Sequence, residues 1–232
     1  MYRTVQFYIL TFSDCQAQYV PYGLVNMEDG MKRGDAKRQA ILDTAYRLFR
    51  AQGFDKTSVS QITAEVGGSK ATIYSHFPSK EEIFVECMTS AAEAFVRNAI
   101  ALLDTLGDDP RTVLREFGFS LLSFLCAPDL VEDRRLLIAE AHRASIGKLY
   151  FAKIAELRAH VAAFLFQLME SGVLRHDDPQ LAADNLRGLL EAGILEPLLL
   201  HARERFPDEK EITLAADRAV ALFLRAYAPV GK

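Results

Sequence analysis

Tryptophan is absent from the chain, and its three cysteines, Cys15, Cys87 and Cys126, have neither the C-x-x-C spacing of a metal or redox site nor the density of a secreted disulfide scaffold. A reducing, cytoplasmic setting is the expectation. Missing too is any run of about 20 apolar residues, so no membrane-spanning helix is expected. Past Met88 there is no G-x-S-x-G, no H-E-x-x-H, no phosphate loop and no cysteine pair, which leaves no motif for catalysis, a metal or a cofactor. Glycine (13) and proline (8) are sparse among 232 residues that are 50% hydrophobic and 25% charged, which excludes a disordered or collagen-like chain.

A net charge of -4 argues at first against nucleic acid, because phosphate binding needs Lys and Arg to displace counterions. The charges are unevenly placed. Residues 32–80 hold nine Lys or Arg against four Asp or Glu, whereas residues 81–232 hold 17 against 24. A small basic part is masked by a larger acidic one, which points to nucleic acid on one side only.

Residues 1–31 fit poorly with the rest of the chain. Their apolar run from Val5 to Phe12 is too short for a membrane span, and the segment lacks the basic start and cleavage site of a secretory signal. Met27 and Met31 stand just before the first convincing helix, so translation is expected to begin at one of them. The alternative is a weakly ordered arm.

From residue 35 onward apolar residues recur at helical spacing, and no stretch alternates with a strand period. The spacing predicts a first helix over about 36–52, with Ile41, Ala45, Leu48 and Phe49 on one face and Gly53 as its stop. Ser58 and Gln61 form an S-x-x-Q capping box that opens a short second helix, and Gly67-Gly68 breaks it. Ser69 caps a third helix over about 70–76. Ser79 and Glu82 open a long fourth one, on which Phe84, Met88, Ala91, Phe95, Ala99, Leu103 and Leu106 repeat at steps of three, four or seven. Helices over about 110–126, 128–144 and 147–171 come next, the first two with proline at the first helical position. Asp178-Pro179 starts another, in which Pro197 should force a kink near Glu196, and Asp208 with Glu211 caps the last, ending near Tyr227. The expected fold is all-α, with a small domain of short helices over 32–80 and a larger helical domain over 81–232. The motif described next marks the first as a helix-turn-helix DNA-binding domain, and the family resemblance given below assigns regulation and dimerisation to the second.

The informative stretch is TSVSQITAEVGGSKATIYSHFPSK, residues 57–80. Two short helices joined by a glycine turn make a helix-turn-helix, whose second helix can enter a major groove about 12 Å wide. Lys70, Ala71, Thr72, Ser75 and His76 on that helix are short or cationic and can approach base edges, while Ile73 and Phe77 point inward.

With Gly67, Ser69, Thr72, Tyr74, His76, Phe77, Lys80 and Glu81 in their places, residues 37–84 resemble the DNA-binding domain of the tetracycline-repressor (TetR) family. Gly68 departs from the usual valine of the turn, which should loosen the packing between the two helices. The resemblance implies that Ser58 and Ser60 face DNA, one towards phosphate and one towards a base. It implies that Ser69, Tyr74, His76 and Lys80 contact the backbone, and that Lys70, Ala71, Thr72 and Ser75 read bases, with Lys70 suited to guanine and Ala71 or Thr72 to a thymine methyl group. Each has a plainer role open to it: Ser58, Ser69 and Ser79 are helix caps in any case, and Tyr74 and His76 suit a half-buried surface.

In the acidic part, aromatics at helical spacing are ordinarily core, yet some can line a cavity between helices, the usual place for a small-molecule site in a bundle. The candidates are Phe95, Phe117, Leu121, Phe124, Phe151 and Phe164, with His142 and His160 as polar anchors. The tail from Asp178 resembles the AefR-like type of TetR C-terminal domain in Asp178-Pro179-Gln180-Leu181-Ala182-Ala183 and in Leu222-Phe223-Leu224-Arg225-Ala226-Tyr227. That resemblance implies a four-helix homodimer interface, for which Leu186, Leu189, Leu190, Ile194, Ala219, Leu222 and Phe223 are candidates, packing within one subunit being the alternative.

The family resemblance implies a repressor, with an activator as the alternative, that binds a near-palindromic double-stranded DNA operator. A small apolar or amphipathic inducer would tilt the fourth helix and release it. The competing expectation is an all-α enzyme or small-molecule carrier with no sequence-specific DNA binding.

Overall fold

The computed structural model describes residues 33–103 and 109–229, so the leader expected over 1–31, Cys15 and Leu106 lie outside it. Every regular element among the described residues is an α-helix: α1 (Arg33–Lys56), α2 (Val59–Val66), α3 (Lys70–His76), α4 (Lys80–Leu103), α5 (Pro110–Leu125), α6 (Pro128–Glu140), α7 (Ile146–Glu170), α8 (Pro179–Glu191), α9 (Leu195–Leu199) and α10 (Glu209–Ala226).

Local chemistry sets most of the boundaries. Ser58 Oγ accepts from the Gln61 amide at 3.2 Å while Gln61 Oε1 accepts from the Ser58 amide at 2.8 Å, and α2 starts there. Ser69 with Thr72 and Asp208 with Glu211 close the same reciprocal pair at the starts of α3 and α10. Proline opens α5, α6 and α8, where a helix has no use for the missing N–H.

Four boundaries differ from the sequence expectation. α1 begins at Arg33 rather than Ala36, and it runs to Lys56 across a kink at Gly53, whose φ of 80 breaks the helix where a full stop was expected. α6 ends at Glu140, short of residue 144, because the chain turns through Ala144 at φ 40. The break after α8 falls at Ala192-Gly193, where Ala192 leaves the helix at ψ 129 and Gly193 takes φ 75, and not at Pro197. Pro197 instead lies in the first turn of α9, where no intrahelical bond is lost.

Two apolar cores result. The smaller joins α1 to α3 around Ile41, Phe49, Phe54, Ile62, Ile73 and Phe77, and it also takes Ile83, Phe84, Val85, Cys87 and Met88 from α4 with Leu137 and Ile146 from the body. Phe49, Phe54 and Phe84 form its centre, with Phe84 edge-on to the other two at centroid distances of 5.0 and 5.1 Å. The larger core is built from α4, α5, α7, α8 and α10, with Val131 of α6 and Leu195 and Leu198 of α9 joining it. A division at residue 80 therefore cuts through the smaller core, and α4 belongs to both.

Candidate nucleic-acid interface and regulatory cavity

All ten residues assigned to DNA lie at the surface of the small domain. Ser58, Ser60, Ser69, Lys70, Ala71, Tyr74 and Ser75 are exposed, and Thr72, His76 and Lys80 are half-buried. Ile73 and Phe77 are buried, so α3 is held by one face and offers the other. Several of the ten also have structural duties. Thr72 Oγ1 lies 3.1 Å from Ser69 Oγ, and Ser75 Oγ donates to Thr72 O at 2.8 Å. The Lys80 ammonium sits 4.0 Å from the centroid of the Phe54 ring, and the accompanying burial lowers its pKa, with Asp55 and Glu81 opposing the change.

The turn between α2 and α3 passes through Gly67 at φ 78 and Gly68 at φ 101, a region L side chains rarely adopt. Lys37 of α1 reaches across to it, and Nζ donates to Val66 O at 3.0 Å and Gly67 O at 2.9 Å. This clamp caps the end of α2. Nothing in the sequence pattern announces Lys37, because its partners are backbone carbonyls 29 and 30 residues away.

A cavity of about 440 Å³ lies in the larger domain between α4, α5, α6, α7 and α8. Phe95, Phe117, Leu121 and Phe124 line it as expected from the sequence, and Phe95 and Phe124 stack at 4.4 Å with rings 8° apart. The other four candidates are elsewhere. Phe164 is buried in the main core, and Phe151 is 57% exposed, with the Arg158 guanidinium 4.9 Å from its ring centroid. His142 and His160 are exposed, each with Nδ1 beside a carbonyl of its own helix or turn, at 3.0 and 2.9 Å. Helical periodicity marks a histidine's face only within its own helix, and both faces lead to solvent here.

The proposed dimer residues need a similar correction. Leu186, Leu190, Ile194, Ala219 and Phe223 are at most 5% exposed within one subunit, so they hold α8, α9 and α10 onto the body. Leu186 also lines the cavity. Leu222 is exposed and Leu189 half-buried, and the outward apolar face of these helices consists of Leu181 on α8 with Leu214 and Leu222 on α10.

Polar residues that the sequence did not single out connect the cavity wall to the small domain. Asp133 lines the cavity, yet Oδ1 accepts from Arg50 Nη1 at 3.0 Å and Oδ2 accepts from the Tyr46 hydroxyl at 3.2 Å, both on α1. Burial pushes its carboxyl up to about 7, with Arg50 and the Tyr46 bond pulling the other way. Lys153 lines the cavity as well and pairs with Glu86 Oε2 at 2.7 Å. Glu86 Oε1 accepts from Arg38, whose guanidinium carbon lies 4.9 Å from the centroid of the Phe77 ring at the end of α3. Burial opposes the Glu86 charge, but the bonds from Lys153 and Arg38 outweigh it and hold the carboxyl below its usual range.

No helix among the described residues is long and apolar enough to cross a membrane, and no group of three or more His, Cys, Asp or Glu among them could hold a metal ion.

Residues 41–87 match the family described as bacterial regulatory proteins, tetR family, and residues 112–229 match the AefR-like transcriptional repressor C-terminal domain. The HTH-type transcriptional repressor Rv1474c of Mycobacterium tuberculosis is 39% identical over 170 residues, covering 71% of this chain and 81% of that protein. YxaF of Bacillus subtilis, an HTH-type transcriptional regulator, is 29% identical over 189 residues, covering 74% of this chain and 94% of that one. Among solved structures, a TetR-family regulator from Mesorhizobium loti superposes with a TM-score of 0.72 at 28% identity, covering 85% of this chain and all of its own. The flavonoid-responsive regulator FrrA gives 0.71 at 26%, covering 84% and 99%.

Proposed function

The chain belongs to the TetR family of bacterial transcriptional regulators, and on that premise we propose that it is a homodimeric repressor that occupies a near-palindromic operator and leaves it when a small apolar or amphipathic inducer fills the cavity. Its family and relatives are transcriptional regulators rather than enzymes. A regulator acting on chromosomal DNA works in the cytoplasm.

The observation that carries ligand control is the position of Asp133 and Lys153. Both face the cavity, and both are bonded into the helices that present α3. An inducer that binds one arrangement of these groups better than the other biases the reader. A coupling of about 1–3 kcal/mol changes operator affinity about 5- to 150-fold. FrrA, named for its response to flavonoids, makes ring-containing inducers a reasonable first class to try.

In the DNA complex, Lys70, Ala71, Thr72 and Ser75 read bases, Ser69, Tyr74, His76 and Lys80 contact the backbone, and of Ser58 and Ser60 one faces a phosphate and the other a base. Dimerisation through the outward face of α8 and α10 gives two copies of α3. Spaced about 34–36 Å apart, they meet successive major-groove faces.

The test is a binding titration of purified protein with the DNA upstream of its own gene against random duplex. A sequence preference with steep salt dependence is expected. Equal affinity for both at moderate salt overturns the reading and favours a helical carrier.

A further inference from the structure

The cavity carries an unbalanced charge. Glu191 on α8 is shared by two arginines: Oε2 accepts from Arg134 Nη2 at 3.1 Å and Oε1 accepts from Arg187 Nε at 2.7 Å. All three residues line the cavity. Both carboxylate oxygens are thereby taken by the two guanidinium groups, and the trio keeps a net charge of +1. Arg134 and Glu191 are largely buried, their side chains 16% and 19% exposed. Arg134 Nη1 is itself buried and donates to no protein group. A buried charged donor without an acceptor carries a desolvation cost. That cost is relieved by a ligand that brings the acceptor.

Among the other charged groups of the wall, Glu93, Arg97 and Glu156 are exposed to solvent, and the buried or paired ones do not supply an acceptor. The Asp133 carboxylate is held by Arg50 and Tyr46 on the side of the small domain, Lys153 is paired with Glu86, and Arg158 pairs with Asp184 at 2.6 Å. The remainder of the wall near Phe95, Phe117 and Phe124 is aromatic and apolar. The cavity therefore combines an apolar, ring-lined body with a buried cationic group in need of an anion.

We infer that the cavity takes an organic acid: a flat or apolar body packs against the stacked Phe95 and Phe124 rings, and a deprotonated acidic group pairs with the Arg134 guanidinium. This rests on the ligand-responsive reading above and names the ligand's chemical class. A planar carboxylate suits a guanidinium best, because the two present matched pairs of donors and acceptors.

The test compares 2-naphthoate with 2-naphthamide, a neutral probe of nearly the same shape, by isothermal titration calorimetry on the full chain. Naphthoate is expected to bind about ten-fold tighter or better, the worth of one charge-assisted bond in a dry site. Arg134→Met should lower naphthoate to the level of the amide and leave the amide unchanged. Glu191→Gln should strengthen naphthoate, since it removes the competing carboxylate, and it guards against a folding defect in the first variant. Equal or tighter binding of the amide by the unaltered protein overturns the inference, as does an acid preference that survives Arg134→Met or no binding of either probe at millimolar concentration. Operator release is scored in parallel. Release by the amide without any advantage for the acid overturns the organic-acid assignment while leaving ligand control standing, whereas binding of naphthoate with no effect on DNA does the reverse.

Discussion

The Tyr46 hydroxyl of α1 donates to the Asp133 carboxylate of α6 across 3.2 Å, so one hydrogen bond belongs both to the DNA-reading helices and to the wall of the cavity. Burial lifts Asp133 to about 7 against an unfolded value of about 3.9. Between those values the folded protein binds more protons than the unfolded chain, so this group's contribution to stability falls as pH rises from about 4 to 7 and levels off above. Asp133→Asn is expected to remove that slope, which urea denaturation of both proteins at pH 5 and pH 7.5 will show. Tyr46→Phe deletes a bond that favours the carboxylate, so it should move the titration to higher pH and cost about 1 kcal/mol.

Lys70→Ala should cost about 1–3 kcal/mol at a single operator position and relax selectivity there. Lys80→Ala should weaken binding to all sequences alike and reduce the salt slope by about 1. Because Lys80 also rests on the Phe54 ring, its removal should lower stability by about 0.5–1 kcal/mol. Fluorescence anisotropy over a salt series, with thermal melts of the free proteins, separates the two effects.

Lys37→Met removes both bonds to the α2–α3 turn. The expected loss is about 1–2 kcal/mol of stability, because the group is only partly buried. DNA affinity should drop evenly across operator variants, since the turn positions α3 as a whole. Chemical denaturation and a panel of single-base operator changes check both.

Leu222→Glu should convert the protein to monomers in sedimentation velocity with little effect on subunit stability, because that side chain is 47% exposed. Phe223→Ala, one residue on, should do the opposite. It opens a hole in the core and costs about 3–5 kcal/mol of subunit stability.

Short-range chemistry was legible in the sequence and long-range chemistry was not. Ser58 with Gln61 and Asp208 with Glu211 are three residues apart, so their capping boxes arise from local spacing. The outward face of α3 could be read in the same way, from Ile73 and Phe77 turning inward. Leu186, Leu190 and Phe223 misled because a helix at the edge of a bundle can be apolar on two faces, and spacing does not say which one meets the core. Arg134, Lys37 and Glu86 were passed over for another reason. A charged residue on an amphipathic helix reads as solvent-facing until its partner, 57, 29 or 48 residues away, is placed beside it.

The sharing of α4 between the two cores bears on how such regulators exchange parts. A recombination joint at residue 80 would sever Phe84 from Phe49 and Phe54, leaving the transplanted reader without its central ring. A joint beyond Met88 keeps that aromatic trio intact, but it asks Leu137 and Ile146 of the recipient to fit a foreign surface. Hybrid repressors made from this chain and its relatives should therefore fold when the seam lies beyond Met88 and those two side chains are matched to the incoming module.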